Sequence, residues 1–291
     1  MHAAVVVDGR LEIEERPEPQ PAGSELLIRT HAAGINAADL HQRAGHYPAP
    51  PGAPQDIPGL ECAGETPDGR RVMALLGGGG QAEAVAVDAR HVLDVPAGLD
   101  WAQAGGFMEA FCTAHDALFT QAQLQAGERL LVNGAAGGVG TAAVQLGVDA
   151  RARVTANARH HDDELRALGA DTDVDGEYDV ILELVGGDNL QQNLLRLATG
   201  GRIVVIGLGA GRSAEIDFGP LMARRGRISA STLRARSADE KAKVVRRLAG
   251  LELERFTVPV EATYPLDEIE AAYERFAAPG KFGKIVVAFG T

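Results

Sequence analysis

The sequence predicts an α/β protein with two parts, a mostly-β domain of barrel character and a domain with a doubly wound parallel sheet. Short strand-like segments separated by turns fill residues 1–100. From Arg129 onward, strand-like and helix-like segments alternate. Such alternation is typical of a parallel sheet that is covered on both faces. After residue 257 the pattern returns to strand, helix and strand, so the two ends of the chain are expected to belong together.

Length, composition and charge narrow the class of protein. The 291 residues suit about two domains of ordinary size. An apolar fraction of 45% and a charged fraction of 23% are typical of a soluble globular protein. The net charge of −12 disfavours a nucleic-acid partner. Two distant cysteines, Cys62 and Cys112, argue against a disulfide scaffold. Because neither a signal-peptide pattern nor a membrane-length apolar run is found, we expect a cytoplasmic protein with no membrane partner.

The N-terminal part is predicted to begin with a β-hairpin. Asp8 and Gly9 form a typical hairpin turn between two apolar runs. A further helix is predicted over residues 100–118, with Asp100 as its N-cap. The other predicted elements of this part are strands over residues 25–33, 70–76 and 81–87 and a helix over residues 36–44.

The central motif is the stretch RLLVNGAAGGVGTAAVQLG, residues 129–147. An apolar strand is followed by glycines at every third position and then by small residues suited to a packed helix. Glycines here would bring backbone amides close to a pyrophosphate, whose charge a helix N-terminus favours. Tight packing of a strand on a helix also requires glycine, which is the alternative interpretation. The motif predicts a dinucleotide site formed by Gly134, Ala135, Ala136, Gly137, Gly138, Val139 and Gly140.

The end of the next strand indicates which dinucleotide is bound. An enzyme that prefers NAD usually presents an acidic residue there, to hold a ribose hydroxyl. This strand instead ends at Asn157 and is followed by Ala158, Arg159 and His160. A guanidinium group binds phosphate, so we predict NADPH (NADP) as the cofactor rather than NADH. The alternative is that Arg159 is a solvated loop charge.

Five stretches of the sequence resemble one known family. They are NAADLHQRAGHYPAPPGAPQDIPG (36–59), MALLGGGGQ (73–81), NGAAGGVGTAAVQL (133–146), GRISASTLRAR (226–236) and GKIVV (283–287). These stretches are similar to those of the zinc-independent quinone oxidoreductases, the zeta-crystallin relatives of the medium-chain dehydrogenase/reductase superfamily. The tumour-suppressor-inducible branch of that family is the most similar to this sequence.

The resemblance implies a domain organisation and an assembly. A GroES-like catalytic domain would comprise residues 1–107 and 250–291, and a Rossmann domain would comprise residues 108–249, with the cofactor in the cleft between them. The strand predicted over residues 227–232 lies where relatives pair across a two-fold axis. A homodimer through this edge strand of the Rossmann sheet is therefore expected.

The resemblance also implies roles for individual residues. The zinc ligands of zinc-dependent relatives correspond to Asn36, Leu60 and Glu109; a leucine cannot bind zinc, so a metal-free enzyme is expected. Tyr47 would shape the acceptor pocket, or else pack on the neighbouring prolines. Asn36 would hydrogen-bond cofactor or substrate, or else cap the helix that follows. Glu109 would tune the pocket or donate a proton, with a pKa raised by burial. Further cofactor contacts are expected at Thr113, Asn157, Arg159, His160, Leu184, Gly207, Leu208, Leu233, Phe282 and Lys284.

The predicted function is hydride transfer from NADPH to a quinone. A quinone can take its proton from solvent, so no dedicated acid is required. Two alternatives stay open at this point. The enzyme could reduce the activated C=C bond of an enone or a 2-alkenal, or the protein could bind the cofactor with negligible turnover, as a structural or redox-sensing subunit.

Overall fold

The structure is a computed structural model that describes residues 1–187 and 189–290. Asp188 and Thr291, which the predicted domains include, lie outside the described residues. The chain divides into two compact units. Unit 1 comprises Met1–Cys112 and the chain from Arg234 onward, and unit 2 comprises Thr113–Leu233. The chain passes from one unit to the other at residues 112/113 and 233/234, whereas the predicted domain limits were 107/108 and 249/250. Those domain limits stay a prediction.

Unit 1 begins with a hairpin, and the predicted Asp-Gly turn is confirmed. Asp8 and Gly9 both have positive φ angles, 48° and 76°, as a tight two-residue turn requires. The elements up to residue 121 are β1 (His2–Val7), β2 (Arg10–Glu15), β3 (Glu25–Gly34), α1 (Ala37–Arg43), β4 (Glu61–Glu65), β5 (Arg71–Leu75), β6 (Ala84–Asp88), β7 (Val92–Asp94), α2 (Trp101–Gly105), α3 (Met108–His115) and a π-helical turn over Asp116–Gln121.

The helix predicted over residues 100–118 is interrupted. Asp100 does cap its start, since its side chain accepts a hydrogen bond from the Gln103 amide at 2.8 Å. The break falls at Gly106 and Phe107, between α2 and α3. A Cβ at Gly105 would lie 2.7 Å from the Cβ of Ala32, so α2 packs directly against β3. The strand predicted over residues 81–87 is also shorter than expected and spans Ala84–Asp88.

Unit 2 is a parallel sheet with helices between its strands. Its elements are β8 (Arg129–Asn133), α4 (Gly138–Asp149), β9 (Arg153–Asn157), α5 (Asp162–Ala167), β10 (Tyr178–Glu183), α6 (Asn189–Leu195), β11 (Leu197–Val205), α7 (Phe218–Arg224) and β12 (Arg227–Ala230). The strand order is β12-β11-β10-β8-β9, and every pair is parallel. The order reverses at β8, and ligands of open α/β sheets bind at such a reversal. The predicted Rossmann architecture is confirmed.

The chain then completes unit 1 with α8 (Ala238–Leu248), β13 (Val260–Pro265), α9 (Ile269–Ala277) and β14 (Lys284–Ala288). Strands β13, β14, β3, β4, β5 and β7 form one mixed sheet in that order, and β6 also pairs with β3. The antiparallel pairing of β14 with β3 joins the two ends of the chain, as predicted. No helix among the described residues is both long enough and apolar enough to cross a bilayer.

Candidate active site

The glycine motif forms the turn between β8 and α4. Gly134 has a φ of +78°, which favours glycine. A Cβ at Gly140 would lie 2.5 Å from the Gly134 carbonyl oxygen, so the first turn of α4 touches the backbone of the loop. Gly137 is the N-cap residue. Among the described residues no side chain caps the helix, and its first turn contains no acidic residue. The first amides of α4 therefore have no acceptor within the helix, and they fit the phosphate groups of a nucleotide.

The loop is held by the end of β9. The backbone amides of Gly134 and Ala135 both donate to the Asn157 carbonyl oxygen, at 3.0 and 3.1 Å. Ala135 is fully buried, so its methyl group faces the protein interior. Ala136, Gly137, Gly138 and Val139 are half-buried and form the outer part of the loop.

Basic residues follow β9, as the sequence predicted. Asn157, Arg159 and His160 are exposed. His161 has a left-handed backbone, with a φ of 77°, and precedes α5, where its ring contacts Glu164 at 3.0 Å. Arg159 forms no ion pair within residues 1–187 and 189–290. Its guanidinium group is available to a ligand phosphate.

The ends of β10 and β11 approach each other closely. A Cβ at Gly207 would lie 1.9 Å from the Leu184 carbonyl oxygen, so only glycine fits there. The Gly207 amide also donates to the Glu183 carbonyl oxygen at 3.2 Å. Leu208 follows and is 45% exposed. These predicted contact residues thus lie together at the carboxyl ends of neighbouring strands.

A buried carboxylate that the sequence did not indicate lies next to the nucleotide loop. Glu183 is fully buried, and its Oε1 accepts the amides of Val185 and Gly186 at 2.6 and 2.8 Å. Its Oε2 accepts the side-chain amides of Asn133 and Asn193 at 2.9 and 2.7 Å. The position of an acidic residue at the end of the apolar strand β10 could have indicated this buried carboxylate.

A second buried carboxylate organises the predicted acceptor side, in unit 1. Glu61 is fully buried and pairs with the ammonium group of Lys284, 2.6 Å away. The same ammonium group donates to the Ile35 carbonyl oxygen and to Asn36 Oδ1, at 3.1 and 2.7 Å. All three N–H groups of Lys284 therefore have acceptors, and its side chain is only 3% exposed. The expected contact of Lys284 with the cofactor stays a prediction.

The predicted catalytic residues Asn36 and Glu109 meet at Glu61. Asn36 donates its side-chain amide to Glu61 Oε1 at 3.0 Å and to the Gly34 carbonyl oxygen at 3.3 Å. Both N–H groups of this amide thus have acceptors within unit 1, and the predicted hydrogen bond of Asn36 to cofactor or substrate stays a prediction. Glu109 is half-buried, and its backbone amide donates to Glu61 Oε2 at 2.8 Å. Asn36, through its side chain, and Glu109, through its backbone amide, thus donate to the same carboxylate.

The residues that were predicted to stand at the zinc position do not fit zinc. Leu60 is buried and offers only hydrocarbon. Asn36 Oδ1 already faces the Lys284 ammonium group, which would repel a metal cation. Among the described residues, no group of three or more histidine, cysteine, aspartate or glutamate side chains could hold a metal ion.

Tyr47 is positioned by Arg234, which the sequence did not single out. Arg234 is 3% exposed, and its Nη1 donates to the Tyr47 carbonyl oxygen at 3.0 Å. Its Nε donates to the Gly77 carbonyl oxygen at 2.9 Å, and its Nη2 donates to Gln42 Oε1. The guanidinium carbon lies 5.0 Å from the centre of the Tyr47 ring, a cation–π distance. Arg234 therefore fixes the loop that carries the predicted acceptor-binding tyrosine.

Asp39 lies in the same polar core of unit 1. It accepts the backbone amides of Asn36 and Gly59 at 2.8 and 3.0 Å. Burial raises the pKa of this carboxyl group to about 6, against the opposing effects of the two amides and the charges of Lys284 and Arg234.

This shift predicts a pH dependence of stability. The folded protein holds the Asp39 proton more tightly than the unfolded chain does. The stabilisation is therefore complete below about pH 4 and is lost as the pH rises through about 6. In urea unfolding, we expect the stability difference between wild type and Asp39→Asn to fall by about 2 kcal/mol across that interval. A pH-independent difference would contradict the assignment.

Two further predicted contacts, Thr113 and Leu233, lie at the changeovers between the units, and Phe282 lies in the last part of unit 1. Thr113 is buried in α3 and begins unit 2, and Leu233 is buried and ends it. Phe282 is half-buried, and its amide donates to Glu261 Oε2 at 2.7 Å. Gly283 has a φ of +79°, and a Cβ there would lie 2.0 Å from the Pro259 carbonyl oxygen. This tight turn fixes the start of β14.

Comparison with known proteins gives the family. Residues 22–97 match the alcohol dehydrogenase GroES-like domain, and residues 146–287 match the family described as zinc-binding dehydrogenase. The quinone oxidoreductase of Lama guanicoe is 30% identical, over 92% of this chain and 90% of that protein. The human quinone oxidoreductase is 29% identical, with the same coverage. The quinone oxidoreductase of Thermus thermophilus, whose complex with NADPH is known, is 33% identical. It matches with a TM-score of 0.87, over 99% of this chain and 100% of that one.

The fold and the site define an NAD(P)H-dependent oxidoreductase of the medium-chain dehydrogenase/reductase superfamily. Its two parts are the predicted GroES-like and Rossmann folds. Within that superfamily, the chain belongs to the zeta-crystallin-like quinone oxidoreductases.

Proposed function

We propose that this enzyme transfers hydride from NADPH to a quinone without a metal ion. The observation that carries the proposal is the uncapped glycine N-terminus of α4, which the Asn157 carbonyl oxygen holds in place beside the exposed Arg159. The relatives named quinone oxidoreductase, one of them known in complex with NADPH, support both the acceptor and the nucleotide. The residues at the relatives' zinc position support the metal-free part.

The residues of the chain bind and orient the nucleotide and the acceptor, and the nicotinamide, when bound, supplies the hydride. The first amides of α4 hold the pyrophosphate, and Arg159 pairs with the 2′-phosphate of NADPH. Leu184, Gly207 and Leu208 form a close-packed surface for the nicotinamide end. Tyr47, held by Arg234, shapes the acceptor pocket. Glu109 contributes a carboxyl group to the same pocket.

The acceptor class is tested with two matched substrates. Steady-state rates of NADPH oxidation are measured with a naphthoquinone and with an enone of similar size. We expect the quinone to be reduced with the larger kcat/KM. Faster reduction of the enone would assign the protein to the activated C=C reductases, and NADPH binding without turnover of either substrate would indicate a cofactor-binding protein.

Arg159→Gln tests the nucleotide preference. Removing the guanidinium group is expected to raise the KM for NADPH about 10-fold, because a charge-assisted contact with phosphate is lost. The KM for NADH should stay within about twofold. Arg166→Gln is the matched control, since Arg166 lies on α5 and pairs with Asp163 at 3.0 Å. Equal effects of Arg159→Gln on both nucleotides would contradict the assigned role.

We also propose that the enzyme is a cytoplasmic homodimer. Both cysteines are buried, and no disulfide is found among the described residues, which suits a reducing compartment. Strand β12 is an edge strand of its sheet. Phe218 and Met222 lie one turn apart on α7, just before β12, and are 60% and 76% exposed. An unpaired edge beside exposed apolar side chains is a typical association surface.

Met222→Glu is expected to convert this dimer into a monomer, because it places a charge in the apolar contact. Sedimentation velocity measures the change in mass. Val148→Glu is the matched control, since Val148 is also an exposed apolar residue of unit 2, on α4, and is 37% exposed. A wild type that sediments as a monomer, or a variant that still dimerises as strongly as wild type, would refute this interface.

A further inference from the structure

Asn157 presents one unused polar atom beside the nucleotide loop. Its side-chain Nδ2 donates to Asn133 Oδ1 at 2.8 Å. Within the part of the chain that the structure describes, its Oδ1 accepts no hydrogen bond. The side chain is exposed and lines a cleft of about 260 Å³ in unit 2. The residue ends the second strand of the nucleotide-binding βαβ unit, where other enzymes of this fold contact a ribose hydroxyl.

The orientation of the Asn157 amide is determined by Glu183. An ionised carboxylate can only accept hydrogen bonds, and it has about four acceptor positions. In Glu183 all four are used, since Oε1 takes two backbone amides and Oε2 takes the side-chain amides of Asn133 and Asn193. Asn133 must therefore turn its Nδ2 toward the carboxylate.

This orientation is passed on from Asn133 to Asn157. With its Nδ2 facing Glu183, Asn133 turns its oxygen toward Asn157, which can only donate to it. The oxygen of the Asn157 amide is then left facing outward. An isolated asparagine could present either its oxygen or its NH₂ group, because the two have nearly the same shape. The buried carboxylate decides between them.

We infer that Glu183 is a positioning residue for cofactor specificity, which acts through Asn133 to make Asn157 a hydrogen-bond acceptor toward the adenosine ribose. The inference rests on the proposed function. An acceptor at this place binds the 2′-hydroxyl of NADH and disfavours the 2′-phosphate of NADPH. Asn157 and Arg159 thus act in opposite directions, and the preference for NADPH is smaller than Arg159 alone would give.

Glu183→Gln reverses the chain of hydrogen bonds. The glutamine oxygen can still accept the amides of Val185 and Gly186, but its NH₂ group replaces Oε2. It then faces two amide donors, so Asn133 and Asn193 must both turn over. Asn157 turns in consequence and presents its NH₂ group outward. We expect the ratio of the NADH Kd to the NADPH Kd to rise about fivefold to tenfold, the value of one hydrogen bond.

Two further variants make the test specific. Asn157→Ala removes the outward oxygen and should raise the same ratio by itself; in its background, Glu183→Gln should have no added effect. Glu128→Gln is the matched control, because Glu128 is a part-buried carboxylate of unit 2 whose two oxygens each accept from Arg202 at 2.7 Å. It should leave the ratio unchanged.

Titration of both nucleotides and neutron diffraction together decide the outcome. An unchanged ratio in Glu183→Gln, or a change that persists in the Asn157→Ala background, overturns the inference. If Glu183→Gln does not fold, the test rests on Asn157→Ala. An unchanged or lower ratio of the NADH Kd to the NADPH Kd in that variant overturns the inference. A wild type that binds neither nucleotide refutes the proposed function instead. Deuterium positions then test the orientation directly. The side-chain ND₂ group of Asn157 should face Asn133 in wild type and face away from it in Glu183→Gln. The same orientation in both proteins would overturn the inference.

Discussion

Gly140→Ala is expected to weaken NADPH binding by about 100-fold or more. The added Cβ would lie 2.5 Å from the Gly134 carbonyl oxygen and 2.6 Å from the Ala135 Cα, and both atoms belong to the backbone of the nucleotide loop. The loop must move to relieve this contact, so its amides no longer match the phosphates. Displacements of about 1 Å in a preorganised site cost rates and affinities of this order. Titration of nicotinamide fluorescence measures the effect.

Gly147→Ala separates nucleotide binding from helix packing. Gly147 lies on the same helix, but a Cβ there would meet the ends of the Leu130 and Val154 side chains, at 2.8 and 2.9 Å. This substitution should lower the free energy of unfolding and leave the Kd for NADPH within about threefold. If both variants changed stability alone, the glycines would serve only to pack α4 on the sheet.

Lys284→Met is expected to destabilise the protein by about 3–5 kcal/mol. The substitution leaves the fully buried Glu61 carboxylate without its cation, and an uncompensated buried charge costs about this much. The ion pair also fills the space beside Gly34 of β3. A Cβ at Gly34 would lie 2.4 Å from Glu61 Oε1. Urea unfolding measures the change in free energy.

Two controls make the Lys284 prediction specific. The double variant Lys284→Met with Glu61→Gln removes both charges and should recover part of the loss. Arg70→Met breaks the exposed pair of Arg70 with Asp94, whose side chains are 51% and 73% exposed. Exposed pairs contribute less than about 1 kcal/mol, so this variant should stay near wild type. If Lys284→Met were as stable as Arg70→Met, the buried ion pair would contribute nothing to the free energy of unfolding.

The sequence predicted those features whose causes are local. The Asp8-Gly9 turn needs two adjacent residues with positive φ, and aspartate followed by glycine is a residue pair that favours such a turn. The loop between β8 and α4 is also local, since its glycines avoid backbone atoms only a few residues away, as at Gly140. The alternation of strands and helices in unit 2 reflects a repeated pattern of burial. Such features can be predicted without knowing what packs against them.

The features that the sequence did not predict depend on residues far apart in the chain. Lys284 and Glu61 are 223 positions apart, and the sequence did not indicate that they form a buried ion pair. Arg234 acts on Gln42 and Tyr47, which lie 192 and 187 positions earlier. Helix α2 packs on β3 through Gly105, where a Cβ would lie 2.7 Å from the Cβ of Ala32, a residue far away in the chain. Periodicity and residue type carry no information about such partners.

A single-turnover experiment tests the central claim most directly. Protein treated with a chelator is loaded with NADPH and mixed rapidly with a naphthoquinone, and the absorbance of the reduced nicotinamide is followed. We predict that one equivalent of NADPH per site is oxidised at a rate that does not change when zinc is added back. Bound NADPH that persists in the presence of the quinone, or oxidation that requires zinc, would contradict metal-free hydride transfer by this enzyme.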